Sequence, residues 1–142
     1  MSLCVVDASV AVKWFVAEEH SDLALSVLRE NELIAPDLLW PEFGNIIWKK
    51  VRRSELSEKD GRSILDLFLR APIVSYSFAA MIAAALELAL ETGRTAYDSL
   101  YVTLAAAERC KMITADKRLV NSLAGTNYAG SLVWIGDIDP AE

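Results

Sequence analysis

Short apolar runs alternate along this chain with longer amphipathic stretches, and that alternation restricts the fold more than any other feature. Leu-Cys-Val-Val at 3–6 is apolar at every position, which suits a strand with both faces covered. Short strand-like runs recur at 33–35, 73–76, 111–114 and 132–135. Helical spacing fills the intervals. One segment carries Val10, Val12, Trp14, Phe15 and Val16; the next, 21–29, carries Leu23, Leu25 and Leu28. A helix is expected from Leu38 or Pro41 to Arg53, then others at 57–70, 77–91 (closed by Gly93), 95–110 and 116–123. Strand followed by helix, repeated, is the rhythm of an α/β domain with a parallel sheet. No linker, repeat or low-complexity stretch interrupts it, so residues 1–142 read as one domain.

Composition narrows the setting. Hydrophobic residues at 54% and charged residues at 24% describe a compact globular chain and argue against disorder. Cys4 and Cys110 are far apart and lie in or beside apolar segments, so a reducing cytoplasm is expected rather than a disulfide framework. The opening Met-Ser-Leu-Cys-Val-Val-Asp carries no basic leader. The longest uncharged run, 71–86, contains Pro72, Ser75, Tyr76 and Ser77 and falls short of the roughly 20 apolar residues a spanning helix needs. It reads as a buried element, with no membrane involved. The net charge of −6 weighs against nonspecific coating of nucleic acid.

Four acids stand where this architecture places functional groups. Asp7 (Val-Val-Asp-Ala-Ser) follows the first apolar run, and Asp116 (Ile-Thr-Ala-Asp-Lys) follows the fourth. In open parallel sheets, binding sites lie outside the carboxyl ends of the strands. Glu42 and Asp98 lie near the starts of two helices. Each acid has an ordinary structural account. Asp7 and Asp116 can cap helices, Thr95-x-x-Asp98 has capping-box spacing, and Glu42 suits a helix dipole. Neighbours add to these accounts. Asn45 follows Glu42 by three residues on the same helix face. Ser9 and Thr114 put hydroxyls beside Asp7 and Asp116. Carboxylates gathered in one pocket would suit hard divalent cations such as Mg2+ or Mn2+, and two such ions would cancel the four acids' charge.

With these motifs the chain resembles PIN-domain ribonucleases, most nearly the toxin member of bacterial and archaeal VapBC toxin–antitoxin pairs. The resemblance spans the whole chain: Val-Val-Asp7-Ala-Ser, Pro41-Glu42-x-x-Asn45, Thr95-Ala-Tyr-Asp98-Ser-Leu-Tyr-Val-Thr-Leu-Ala and Ile113-Thr-Ala-Asp116-Lys-Arg-Leu. The last two motifs carry most of its specificity. It implies a three-layer α/β/α sandwich with a central, mainly parallel sheet, and a metal-dependent endoribonuclease using one or two Mg2+ or Mn2+ ions. Asp7 and Asp98 would be the principal metal ligands, with Glu42 and Asp116 completing the shell, partly through water. Ser9, Asn45 and Thr114 would support them. It further implies a homodimer and a cognate antitoxin protein that reaches the acidic pocket.

The basic run Lys49-Lys50-Val51-Arg52-Arg53 either complements a helix C-terminus or grips RNA phosphates. Lys49, Arg53, Lys117 and Arg118 are the candidate RNA-binding residues. Trp14, Trp40 and Trp48 read as packing residues more than base-stacking platforms. His20, in a polar turn, reads as solvated, which leaves no histidine pair for acid–base work. Hydrolysis would then give 5′-phosphate and 3′-hydroxyl ends. Rival readings are a magnesium-binding phospho-receiver-like signalling domain and a non-catalytic α/β binding module. A receiver needs paired acids after its first strand, and a haloacid-dehalogenase-like phosphatase needs Asp-x-Asp. Here Asp7 is followed by Ala8 and Ser9. A Gly-rich phosphate loop with lysine is also missing.

Overall fold

The computed structural model describes residues 2–139. Five strands, β1 (Ser2–Val6), β2 (Asn31–Pro36), β3 (Ile73–Tyr76), β4 (Lys111–Thr114) and β5 (Leu132–Trp134), form one sheet in the order β3-β2-β1-β4-β5. Every pairing is parallel. Seven α-helices accompany it among the described residues: α1 (Ala8–Ala11), α2 (Ser21–Glu30), α3 (Leu39–Arg52), α4 (Glu58–Phe68), α5 (Ile82–Thr92), α6 (Ala96–Ala107) and α7 (Lys117–Ser122).

Alternation along the strands builds two cores. Cys4 and Val6 of β1 join Leu33, Ile113, and Ala24 and Val27 of α2 on one face of the sheet. Val5, between them, joins Ile34, Met112, Leu39, Phe43, Phe68 and Leu104 on the other. The register Cys4↔Leu33, Val5↔Ile34, Val5↔Met112 and Val6↔Ile113 keeps each set together, because side chains point to opposite faces with a period of two. Both faces are covered, so the fold is a three-layer α/β/α sandwich. Its second core is anchored by Phe43 and Phe68, stacked 3.7 Å apart at 15°.

Several element boundaries differ from the sequence reading, each for a tertiary reason. The first helical stretch divides into α1 and a 3-10 turn at Val12–Trp14. Trp14 Nε1 donates to the Ala24 carbonyl (2.8 Å), and Phe15 packs edge-on against Phe43 and Phe68. The helix expected over 77–91 begins late, at Ile82, after a 3-10 turn at Phe78–Ala80. Asp37, just beyond β2, accepts the Phe78 N–H (2.9 Å) and holds the chain in that turn. Gly93, with φ 78°, ends α5 in the left-handed region where glycine carries no Cβ penalty. His20 is not free in solvent: its ring meets Trp134 edge-on at 5.4 Å.

The strand order fixes where a site can form. From β1 the chain runs outward through β2 to β3, then crosses back to place β4 and β5 on the other side. The switch point therefore lies between β1 and β4, whose carboxyl ends carry Asp7 and Thr114 to Asp116.

Candidate active site

Four elements deliver the four acids to one pocket. Asp7 is the N-cap of α1, and its Oδ1 accepts the Val10 N–H (3.2 Å). Asp116 is the N-cap of α7, accepting from Leu119 (3.2 Å). Asp98 lies in the first turn of α6, where its own N–H is taken by the N-cap Thr95 (3.1 Å). Glu42 lies in the first turn of α3. Capping and site membership are therefore compatible, since a carboxylate has two oxygens. A cavity of about 280 Å³ is lined by all four acids together with Ser9, Asn45, Lys49 and Tyr101, over apolar contributions from Ile46 and Met112.

Hydroxyls fasten Asp7 in place. Ser9 Oγ donates to its Oδ1 (2.5 Å) and Thr114 Oγ1 to its Oδ2 (2.6 Å). The same hydroxyls accept backbone N–H groups: Ala115 bonds Ser9 Oγ and Asp116 bonds Thr114 Oγ1, each at 3.0 Å. Fully buried Thr114 thus links the ends of β1 and β4. On the opposite wall, Tyr101 Oη donates to Glu42 Oε1 (2.5 Å).

Electrostatics divides the acids into two pairs. Burial pushes the Asp7 carboxyl above its ordinary value; the Ser9, Thr114 and Val10 hydrogen bonds pull it back, and the Asp116 charge adds to the rise. Burial also raises Glu42, against the Tyr101 hydrogen bond, with Asp7 and Asp98 contributing like-charge repulsion. Among the described residues, no basic side chain forms an ion pair with either. Asp98 and Asp116 do have a cation: Arg94 lies 3.0 Å from Asp98 Oδ2 and 3.9 Å from Asp116 Oδ2. A desolvated carboxylate pair without a counter-ion is costly, and hard oxygen donors facing a shared cavity fit a divalent cation. As the side chains stand, no group of three or more acidic, histidine or cysteine residues among those described is gathered closely enough to hold an ion.

The basic candidates separate. Lys49 lines the acidic cavity. Arg53, the C-cap of α3, lies instead with Trp48, Lys49 and Arg52 around a neighbouring shallow depression. Lys117 places Nζ 4.4 Å from the Trp134 ring centroid, and Arg118 is exposed. Lys50, next to Lys49 in the basic run, is committed to Glu18 at 2.8 Å. Trp40 packs on Phe68, whereas Trp48 is exposed with Arg52 over its ring. Sequence reasoning missed Arg94 and Tyr101. The usable signal was spacing: Arg94 precedes Asp98 by four residues, and Tyr101 follows it by three.

Fold and site together define a doubly wound α/β domain with an acidic pocket at its switch point. Comparison with known proteins gives that class its family. The PIN domain model matches residues 4–122, and the chain belongs to the PIN-domain family, among its VapC-type members. It is 38% identical over 119 residues to Ribonuclease VapC3 of Pyrobaculum aerophilum, covering 81% of this chain and 90% of that protein. The crystal structure of PAE2754 from the same organism superposes with a TM-score of 0.68 at 21% identity, covering 95% of this chain and 85% of the other. A toxin–antitoxin complex from Klebsiella pneumoniae gives 0.61 at 16% identity, with 98% of both chains covered.

Proposed function

We propose that this chain is a metal-dependent endoribonuclease of the VapC type, the toxin of a type II toxin–antitoxin pair, hydrolysing RNA phosphodiesters with Mg2+ or Mn2+. One observation carries the reading: acids from four separate elements line a single cavity, and the two most desolvated, Asp7 and Glu42, have no cationic partner among the described residues. The VapC3 relative is named a ribonuclease, which supports the same activity here.

Asp7 and Asp98 would be the principal ligands, with Glu42 and Asp116 completing the shell. A bound ion would supply the positive charge that activates water and offsets charge gathering at phosphorus. Ser9 and Thr114 hold Asp7 in one orientation, limiting the reorganisation needed on binding. Asn45 and Lys49, on the cavity lining, would orient the substrate, and Lys49 would meet a phosphate. Arg53, Lys117 and Arg118 would extend the track more weakly. Hydrolysis without the 2′-hydroxyl as nucleophile leaves 5′-phosphate and 3′-hydroxyl ends. Incubating the purified chain with structured RNAs and Mn2+, then analysing product ends, tests this; cyclic phosphates or metal-independent cleavage would overturn it.

Partners follow from surface chemistry. An apolar cleft of about 440 Å³ between α3 and α4, lined in part by Ile47, Trp48, Val51 and Leu65, offers a docking surface for an antitoxin segment. The structurally similar Klebsiella pneumoniae protein belongs to a toxin–antitoxin complex, which supports an antitoxin partner here. Phe78, Ile82, Leu86 and Leu90 recur every four residues along the turn before α5 and along α5, all exposed, and suit a homodimer contact. Leu86→Glu with Leu90→Glu should then yield monomers by light scattering; an unchanged mass would move the contact elsewhere. We place the whole chain, 1–142, in one domain, since both cores share one sheet. Free thiols at Cys4 and Cys110 suit a reducing cytoplasm, and no described helix is long and apolar enough to cross a membrane.

The acids' failure to close on one another favours a second reading, a non-catalytic α/β binding module. Absence of Mn2+ binding by the purified chain would select it.

A further inference from the structure

We infer that Arg94 is a built-in counter-ion that occupies Asp98 and Asp116 until a divalent cation takes them, so that the site loads by exchange of one cation for another. The inference rests on the metal-site reading above. Arg94 stands in the three-residue connection between α5 and α6, after Gly93. Its guanidinium meets two acids from different elements, Asp98 of α6 and the α7 cap Asp116.

Its pose is incomplete. Arg94 Nε is buried and has no hydrogen-bond partner, although a guanidinium carries five donors and an unmet buried donor is costly. An arginine held in place chiefly by the charge of two carboxylates has less to lose when another cation replaces it there. The other half of the cavity, Asp7 and Glu42, has no such occupant among the described residues. Asp7 and Glu42 would be open to a divalent ion first, and Asp98 and Asp116 would join them once Arg94 releases its contacts. This order accounts for four acids that line one cavity while no three of them, as they stand, form a group that could hold an ion.

Mn2+ titration of the metal-free full-length chain by calorimetry tests the exchange. Arg94→Gln keeps an amide donor near Asp98 but removes the charge, and should bind Mn2+ about tenfold more tightly than the natural chain, because a cation near the ion opposes it. Arg94→Lys, which keeps the charge, should stay near the natural affinity. Equal or weaker binding by Arg94→Gln would overturn the inference and make Arg94 a positioning residue. If the natural chain binds no Mn2+, the metal-site reading itself falls, a separate outcome. A second measurement needs no neutral variant. In 15N spectra of the natural chain, with Arg94→Lys used for assignment, the Arg94 Nε–H signal should move on Mg2+ titration; a stationary signal would overturn exchange.

Discussion

Two carboxylate regions flank α3, and they resolve the same problem in opposite ways. Glu18, in the loop before α2, has Lys50 at 2.8 Å and Lys13 at 3.5 Å. Burial raises its pKa, but the two lysines outweigh that and hold the carboxyl below its ordinary value. Asp7 and Glu42 are desolvated without a lysine or arginine partner among the described residues, and both are raised. Where the chain supplies the cation, the acid fastens a loop to a helix. Where it supplies only hydroxyls and a backbone N–H, their hydrogen bonds offset part of the cost of burial and the carboxyl stays raised, which is the opening the proposed cation would fill.

The largest effect should come from breaking the pocket side. Asp7→Asn should lower RNA cleavage by on the order of 10²-fold or more, whereas Glu18→Gln should leave it unchanged; equal losses in a gel-based cleavage assay would erase the distinction. Next, Thr114→Val removes the hydroxyl that serves Asp7 Oδ2 and the Asp116 N–H at once. A destabilisation of about 1–3 kcal/mol is expected in urea unfolding, and a cost near zero would mean the linkage between β1 and β4 is dispensable.

pH sharpens the contrast, because the two regions have opposite signs. A raised folded-state carboxyl binds more protons than its unfolded counterpart, so metal-free stability should fall as pH rises from the unfolded carboxyl value through the folded one. Asp7→Asn should flatten that fall, and saturating Mn2+ should reverse it. Glu18 contributes in the other direction: its stabilisation is present above the unfolded carboxyl value and lost as pH falls through the lowered folded one. Glu18 is partly exposed, so Glu18→Gln should cost only about 0–1 kcal/mol at neutral pH, with no difference remaining in acid. A pH series of denaturant midpoints reads both slopes.

The acidic-pocket side of this contrast was legible in the sequence. The all-apolar first strand and the βα rhythm called for a parallel sheet whose rim carries the acids after β1 and β4. The uncharged run at 71–86, by contrast, was expected to be buried and is largely exposed, because β3 is an edge strand and most α5 side chains face outward. Asp7, Glu42, Asp98 and Asp116 do line one cavity. What stayed hidden depends on tertiary partners. The basic run at 49–53 reads as uniform charge, yet Lys50 is taken by Glu18 from a distant loop while Lys49 lines the acids. Tyr101 is a core residue at 2% exposed, and only the tertiary fold brings its hydroxyl to Glu42. Arg94 reads as a loop residue, and only the placement of α7 brings Asp116 near it. The late start of α5 depends likewise on Asp37, 41 positions before the N–H it accepts.

The most direct test is a crystal of the full chain grown or soaked in Mn2+, with anomalous scattering collected at the manganese edge. The account predicts a peak within the cavity, coordinated by Asp7 and Asp98, with Glu42 and Asp116 drawn toward it. A map with no peak among these four side chains, from a chain that remains folded, would contradict it.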